Sequence, residues 1–193
     1  RPVDIQYRKL AANRNPANPV TLVTYASKAG STMEIAQAIA LELENRSFTV
    51  DICPIQQVNS LEGYSQIIMG SAIRMGSPLP EVNRFIEEHC SEFQKIPLAC
   101  FAVHLQHDGE DEASRKARVA YLDPIRNQLQ ITHEAYFTGI YDPAKVTPIE
   151  RLMGKMVKTP VGDFRDWAAI KGWAQSIFSN SPAARIEMES VAL

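Results

Sequence analysis

With 193 residues, 45% apolar and 22% charged, the chain has the make-up of an ordinary globular protein with one substantial hydrophobic core. Its formal net charge of -2 gives no global pull toward nucleic acid or an anionic membrane, and no run of about 18 apolar residues signals a transmembrane helix. Three widely spaced cysteines, Cys53, Cys90 and Cys100, fit neither a disulfide framework nor a CxxC zinc site; they read as buried free thiols in a reducing, cytoplasmic setting.

Residues 1–19 read as an N-terminal extension, interrupted by Asn13, Asn15, Pro16, Asn18 and Pro19. No charged and then apolar leader opens the chain, so no secretory signal is expected. One domain is expected over 20–178. It begins with a β-rich run, Val20 to Tyr25, which ends in Ala26-Ser27-Lys28-Ala29-Gly30-Ser31-Thr32. A helix follows, with Ile35, Ala36, Ile39, Ala40 and Leu43 at helical spacing and Thr32 as its expected N-cap. The second strand is Phe48 to Cys53, followed by a short helical piece within 55–64. Gln66 to Ser71 is a third strand, apolar through its centre like an interior strand covered on both faces. Ala72 to Pro80 reads as a loop. Pro80 suits the first position of a helix reaching Phe93, with Val82, Phe85 and Ile86 inward.

Pro97 to Val103 is a fourth strand, apolar throughout. A polar loop over 105–112 precedes a helix over 113–129, with Ala117, Ala120, Tyr121 and Leu122 inward; Pro124 should kink or restart it. His133 to Tyr141 is the fifth strand. Pro148 to Val157 is helix-like, a last helix runs from Asp166 to Phe178, and 179–193 reads as a fraying tail. This alternation of strand and helix predicts the α/β class, a doubly wound parallel sheet with helices on both faces.

In such sheets ligands sit beyond the carboxyl ends of the strands, where the strand order switches. Three loops lie at such ends. In the first, Ser27, Ser31 and Thr32 supply hydroxyls, Gly30 allows close backbone approach, and the helix start presents unpaired N–H groups. Together these suit a phosphate, and equally a plain capped helix start; Lys28 either adds a charge or points to water. The second loop, Ser71-Ala72-Ile73-Arg74-Met75-Gly76, is placed to wall a flat ring, with Arg74 near a ligand anion or simply solvated. The third holds His104, Leu105, Gln106 and His107. Its His-x-x-His spacing lacks an evident third ligand, so it does not read as a metal site. His107 is either a proton carrier at neutral pH or an exposed loop histidine.

The stretch Tyr25 to Ala36 resembles the FMN phosphate loop of flavodoxins. Gly70 to Gly76, Glu150 to Val157 and Gly162 to Trp167 resemble one branch of that family, the menaquinone-dependent protoporphyrinogen oxidases. The resemblance implies a flavodoxin-like five-stranded parallel sheet in the order 2-1-3-4-5. It implies FMN phosphate at Ser27, Lys28, Ala29, Gly30, Ser31 and Thr32. The isoalloxazine would lie between Ser71–Gly76 and the loop His104–His107. It further implies transfer of electrons from a small-molecule substrate, such as protoporphyrinogen, through FMN to a quinone. Two departures stand out: Ala29 occupies a position where flavodoxins often carry a hydroxyl, and neither 72–79 nor 104–109 contains the aromatic that usually covers the flavin.

Ile149, Leu152, Met153, Met156 and Val157 share a face, with Arg151, Lys155 and Lys158 beside it. This stretch suits peripheral contact of 149–158 with an anionic membrane surface, or packing on the sheet. Three functions stay open at this level. They are a quinone-linked FMN oxidoreductase, an electron carrier without substrate chemistry of its own, and a scaffold that has lost FMN.

Overall fold

The structure, a computed structural model, describes residues 19–144 and 161–178. The chain runs through β1 (Val20–Ala26), α1 (Ser31–Asn45), β2 (Thr49–Pro54), a 3-10 turn (Ile55–Gln57), β3 (Tyr64–Arg74) and β4 (Ser77–Pro78). It continues through α2 (Pro80–Glu88), α3 (Cys90–Phe93), β5 (Leu98–His104), α4 (Glu112–Ala120), α5 (Asp123–Arg126) and β6 (His133–Thr138). The remaining elements are β7 (Ile140–Tyr141), β8 (Gly162–Asp163) and α6 (Trp167–Ser176). The main sheet has the order β2-β1-β3-β5-β6 with all neighbours parallel. Counted over its five long strands, this is the doubly wound 2-1-3-4-5 order.

The sheet is interior because its central strands are apolar on both faces. β1 and β5 are buried at every position. Along β5, Leu98, Cys100 and Ala102 pack with Val82, Phe85, Tyr121 and Leu122 on one side. Ala99, Phe101 and Val103 pack with Ile35, Ile39, Ile170 and Ala174 on the other. Period-two strands thus feed two cores, each closed by helices, and every large side chain so buried contributes about 1.5–3 kcal/mol. The inward face expected for α1 is observed, since Ile35, Ala36, Ile39, Ala40 and Leu43 are all buried. Pro80 does open α2, and Asp166 caps α6 by accepting from the N–H groups of Ala168 and Ala169.

Several expectations are corrected. β3 runs on past Ser71 to Arg74 and pairs antiparallel with β4 over a two-residue turn, where a loop was expected. The segment after β2 holds one 3-10 turn rather than a longer helical piece. The helix from Pro80 breaks at His89, whose buried ring bonds the Glu92 carboxylate (Nδ1 to Oε2, 2.7 Å) and packs on Phe85. The helix expected over 113–129 is two, α4 and α5, with Pro124 restarting the second; Ala120 is exposed, while Tyr121 and Leu122 are buried. The fifth strand leaves the sheet after Thr138, and Ile140–Tyr141 pairs instead with β8. Cys53 and Cys100 are buried, but Cys90 is exposed. All of the expected extension over 1–19 except Pro19, the helix at 148–157 with its membrane-facing stretch 149–158, and the tail 179–193 lie outside the described residues.

Candidate functional site

Sheet register decides which loops meet. Ala26 pairs with Ser71, Ala72 with Val103, and His104 with Thr138. The loops after β1, β3, β5 and β6 therefore form one rim at the carboxyl edge. The β1–α1 and β3–α2 connections leave the sheet to opposite faces there, at the switch point.

The first loop is built around Gly30, whose φ of 94° puts it in the left-handed region where a glycine is least strained. Its N–H donates to Ser27 Oγ (3.2 Å), and its carbonyl accepts the first helical bond, from Glu34 N (3.1 Å). Gly30, not Thr32, occupies the N-cap position, and no side chain caps the helix. Thr32 is instead turned inward in the first turn and fully buried. Among the described residues, its Oγ1 is the one buried side-chain polar atom without a hydrogen-bond partner. A buried, unpaired hydroxyl costs stability, so a fold that keeps one at an open helix start is built to give it a partner. Thr32 Oγ1, the uncapped N–H groups and the dipole end form a donor set that fits a phosphate monoester such as that of FMN.

Lys28 is half exposed but is not simply a solvated charge. Its ammonium lies 3.1 Å from Oε1 of Glu81, whose side chain is 8% exposed. Sequence reading missed Glu81; an acid following Pro80 in the first turn of a helix was its only local signal. It also missed Gly139. A Cβ there would lie 2.9 Å from Val103 Cγ1 and 3.2 Å from Ser31 Oγ, so the exit of β6 passes the first loop only without a side chain.

The second loop is a hairpin. Met75 (φ 51°) and Gly76 (φ 78°) are both left-handed, as a two-residue primed turn requires. Ser71 Oγ accepts from Leu79 N (3.0 Å) and donates to the Ala72 carbonyl (2.9 Å), so this hydroxyl fixes the base of the hairpin. Ala72, Ile73 and Arg74 are half-buried, and Met75 at the tip is 92% exposed. Burial lowers the Arg74 guanidinium pKa, and the nearby Glu81 charge opposes that.

The third loop is stitched from below. His104 Nδ1 bonds the Gln106 carbonyl (2.8 Å), which also accepts from Tyr121 Oη (3.2 Å). His107, at φ 61°, has Nδ1 2.7 Å from the same Tyr121 hydroxyl. Arg118 donates to the carbonyls of His107 and Gly109, both at 2.5 Å. Tyr121 and Arg118 are thus the residues that shape this loop, and nothing in the local sequence marks them.

His104 is 3% exposed, and burial pushes its imidazole from the ordinary 6.5 down to about 4. The Gln106 carbonyl opposes that shift, Arg118 and His107 deepen it, and Asp108 counters them. In the folded protein His104 is neutral at pH 7. The unfolded chain binds the proton more readily between these values, so the contribution of the neutral ring is complete above pH 6.5. It is lost as pH falls from there toward 4, by about 3 kcal/mol in all. Denaturant unfolding at pH 7.5 and 4.5 should show a smaller acid loss for His104→Gln than for the parent; equal losses would remove His104 as the cause.

Behind the rim, Arg165 is held by Asp163 (2.7 Å) and by Glu34 of α1 (2.5 Å), and it stacks on Trp167 at 4.3 Å. The Thr138 hydroxyl donates to the Phe164 carbonyl, and Phe164 N to Gly139 O (3.2 Å). These bonds fix the 162–167 stretch beside the first loop. No helix among the described residues is long and apolar enough to cross a membrane.

The sequence profile of the flavodoxin domain family matches residues 22–167. Over 87 residues the chain is 26% identical to protoporphyrinogen IX dehydrogenase [quinone] of Escherichia coli K12, covering 44% of this chain and 48% of that protein. The chain therefore spans about half the length of the E. coli relatives it matches. The protein of the same name from Leishmania major is 25% identical over 181 residues, covering 86% of this chain and 78% of the other. Among solved structures, rubredoxin oxygen:oxidoreductase from Desulfovibrio gigas superposes with a TM-score of 0.53 at 16% identity, over 92% of this chain and 38% of that one. A short-chain flavodoxin associated with a non-canonical PDU bacterial microcompartment gives 0.51 at 12% identity, over 86% of this chain and 99% of that one. Both likenesses are of fold.

Proposed function

This chain belongs to the flavodoxin domain family, with FMN as its cofactor and a role in flavin redox chemistry, and on that premise we propose that it oxidises a flat, reduced small molecule and hands the electrons to a quinone. Protoporphyrinogen is the substrate proposed, because both relatives named above are protoporphyrinogen IX dehydrogenases. FMN, when bound, supplies the electron chemistry. The residues of this chain hold and shape. Ser31, Thr32 and the N–H groups of the Gly30 turn take the phosphate, with Ser27 bracing that turn. Ser71 through Gly76 and His104 through His107 wall the ring. Lys28 and Ala29 contribute backbone to the phosphate loop, and Leu105 contributes backbone to the second wall.

The observation that carries the substrate reading is the bareness of the rim. Its two flavin-facing loops have no Phe, Tyr or Trp, and the hairpin ends in Met75, 92% exposed. A rim that leaves a ring face uncovered by the protein suits a planar partner, and a thioether is a soft, adaptable surface for it. A visible spectrum with and without added FMN, then anaerobic mixing with protoporphyrinogen and a quinone, tests this. Flavin bands with quinone-dependent porphyrin formation are expected. Flavin bands without turnover would point to a carrier or another substrate, and no flavin binding at all would overturn the reading.

A further inference from the structure

Within the first loop the one cationic side chain is Lys28, and it is committed elsewhere. Its ammonium is 3.1 Å from Oε1 of Glu81, in the first turn of α2. The partners are unequal, since the Lys28 side chain is 52% exposed and that of Glu81 only 8%. A carboxylate so far withdrawn from water depends on its partners. Gln56 Nε2 also donates to Oε1, at 3.4 Å. Burial alone would raise the Glu81 carboxyl, but its own backbone N–H at the helix start, the Lys28 ammonium and Arg84 bring it below the usual carboxylate range. Arg74, on the hairpin, feels the same charge. One withdrawn anion thus lies between the first loop and the hairpin and engages cations of both.

We propose that Glu81 is the residue that sets the anion affinity of the first loop: it holds the Lys28 ammonium away from the phosphate, so the loop binds on hydroxyls and backbone N–H groups alone. This rests on the flavin reading and adds the group that tunes it. Lys28 sits on a flexible four-carbon stem inside the loop itself. Released from Glu81, its ammonium can make a charge-assisted bond to a phosphate that its neighbours already contact.

Glu81→Gln is expected to tighten FMN about tenfold, the scale of one partly exposed charge-assisted bond. Fluorescence-quenching titration measures it. The same substitution in a Lys28→Met background should change affinity less than about twofold, because the gain passes through Lys28. Riboflavin, which lacks the phosphate, should respond to neither change. Glu81→Asp, which keeps the charge but shortens the reach, should give part of the gain and serves if the glutamine variant does not fold. Unchanged or weaker FMN binding in both Glu81 variants would overturn the proposal, as would equal tightening without Lys28. If the parent protein bound no FMN, the flavin reading would fall and take this with it; FMN bound equally by parent and variants would sink this proposal alone.

Discussion

Thr32→Val is expected to stabilise the flavin-free protein while weakening its hold on FMN. The two side chains have nearly the same shape, so the packing around the first turn of α1 is kept. What changes is one hydroxyl, fully buried and without a partner. An unpaired buried hydroxyl costs about 1–3 kcal/mol, and its removal should return about 1 kcal/mol of stability. For a domain of this size that is a rise in Tm of about 2–4 °C. On the proposed reading the same atom would donate to a phosphate oxygen of FMN, a charge-assisted bond of about 1.5–3 kcal/mol. Its loss should therefore weaken FMN by roughly tenfold to a hundredfold. Thr32→Ser, which keeps the hydroxyl, should retain most of the affinity. Thermal unfolding with and without saturating FMN separates the two effects, because the order of the Tm values of parent and valine variant should invert. A valine variant less stable than the parent without flavin, yet binding FMN as well, would show that the hydroxyl has another purpose.

Gly70→Ala should be the most destabilising single methyl in the sheet. Gly70 pairs with Tyr25 on one side and Phe101 on the other, just past the midpoint of β3. A Cβ there would lie 2.0 Å from Phe101 Cζ and within 2.5 Å of both Cε atoms. The ring has no way out: Phe101 is fully buried, with Phe137 and Trp173 each 6.1 Å away between ring centroids. Overpacking of this kind costs typically 1–3 kcal/mol and occasionally more; a clash this deep against a trapped ring belongs at the top of that range, about 3 kcal/mol. The corresponding fall in Tm is about 6–12 °C. In a Phe101→Leu background the same alanine should cost much less, since the two positions share the space. Denaturant unfolding of the four proteins measures this coupling, and a Gly70→Ala protein within about 0.5 kcal/mol of the parent would show that the ring yields. The glycine that resembles a cofactor-loop signature in the sequence is thus, in the fold, first a packing glycine.

The sequence by itself determined the layers and the edge of the sheet at which the candidate loops meet. Apolar runs such as Leu98 to Val103 have no polar face to give to water, so they had to be interior strands. The spacing of Ile35, Ile39 and Leu43 fixed which side of α1 meets them. Gly30-Ser31-Thr32 at a strand-to-helix turn marked the loop proposed to take an anion, because backbone N–H groups, a left-handed turn and hydroxyls are all local properties. Only the tertiary structure decided what those residues do there. The same Thr32 reads from sequence as a cap and is in the fold an orphan hydroxyl. Lys28 reads as a phosphate ligand or a solvated charge and is held by Glu81. Ser71 and Tyr121 spend their hydroxyls on the backbone of their loops. The hairpin tip at Met75–Gly76 was hidden because Gly76, Pro78 and Pro80 are also what a loop would contain. The physical reason is common to the four polar side chains: a local pattern sets backbone shape and the inward face. The partner of a polar side chain is set by which strands lie in register and which helix starts beside them, contacts made across long stretches of chain, as when Arg165 reaches Glu34 over 131 residues.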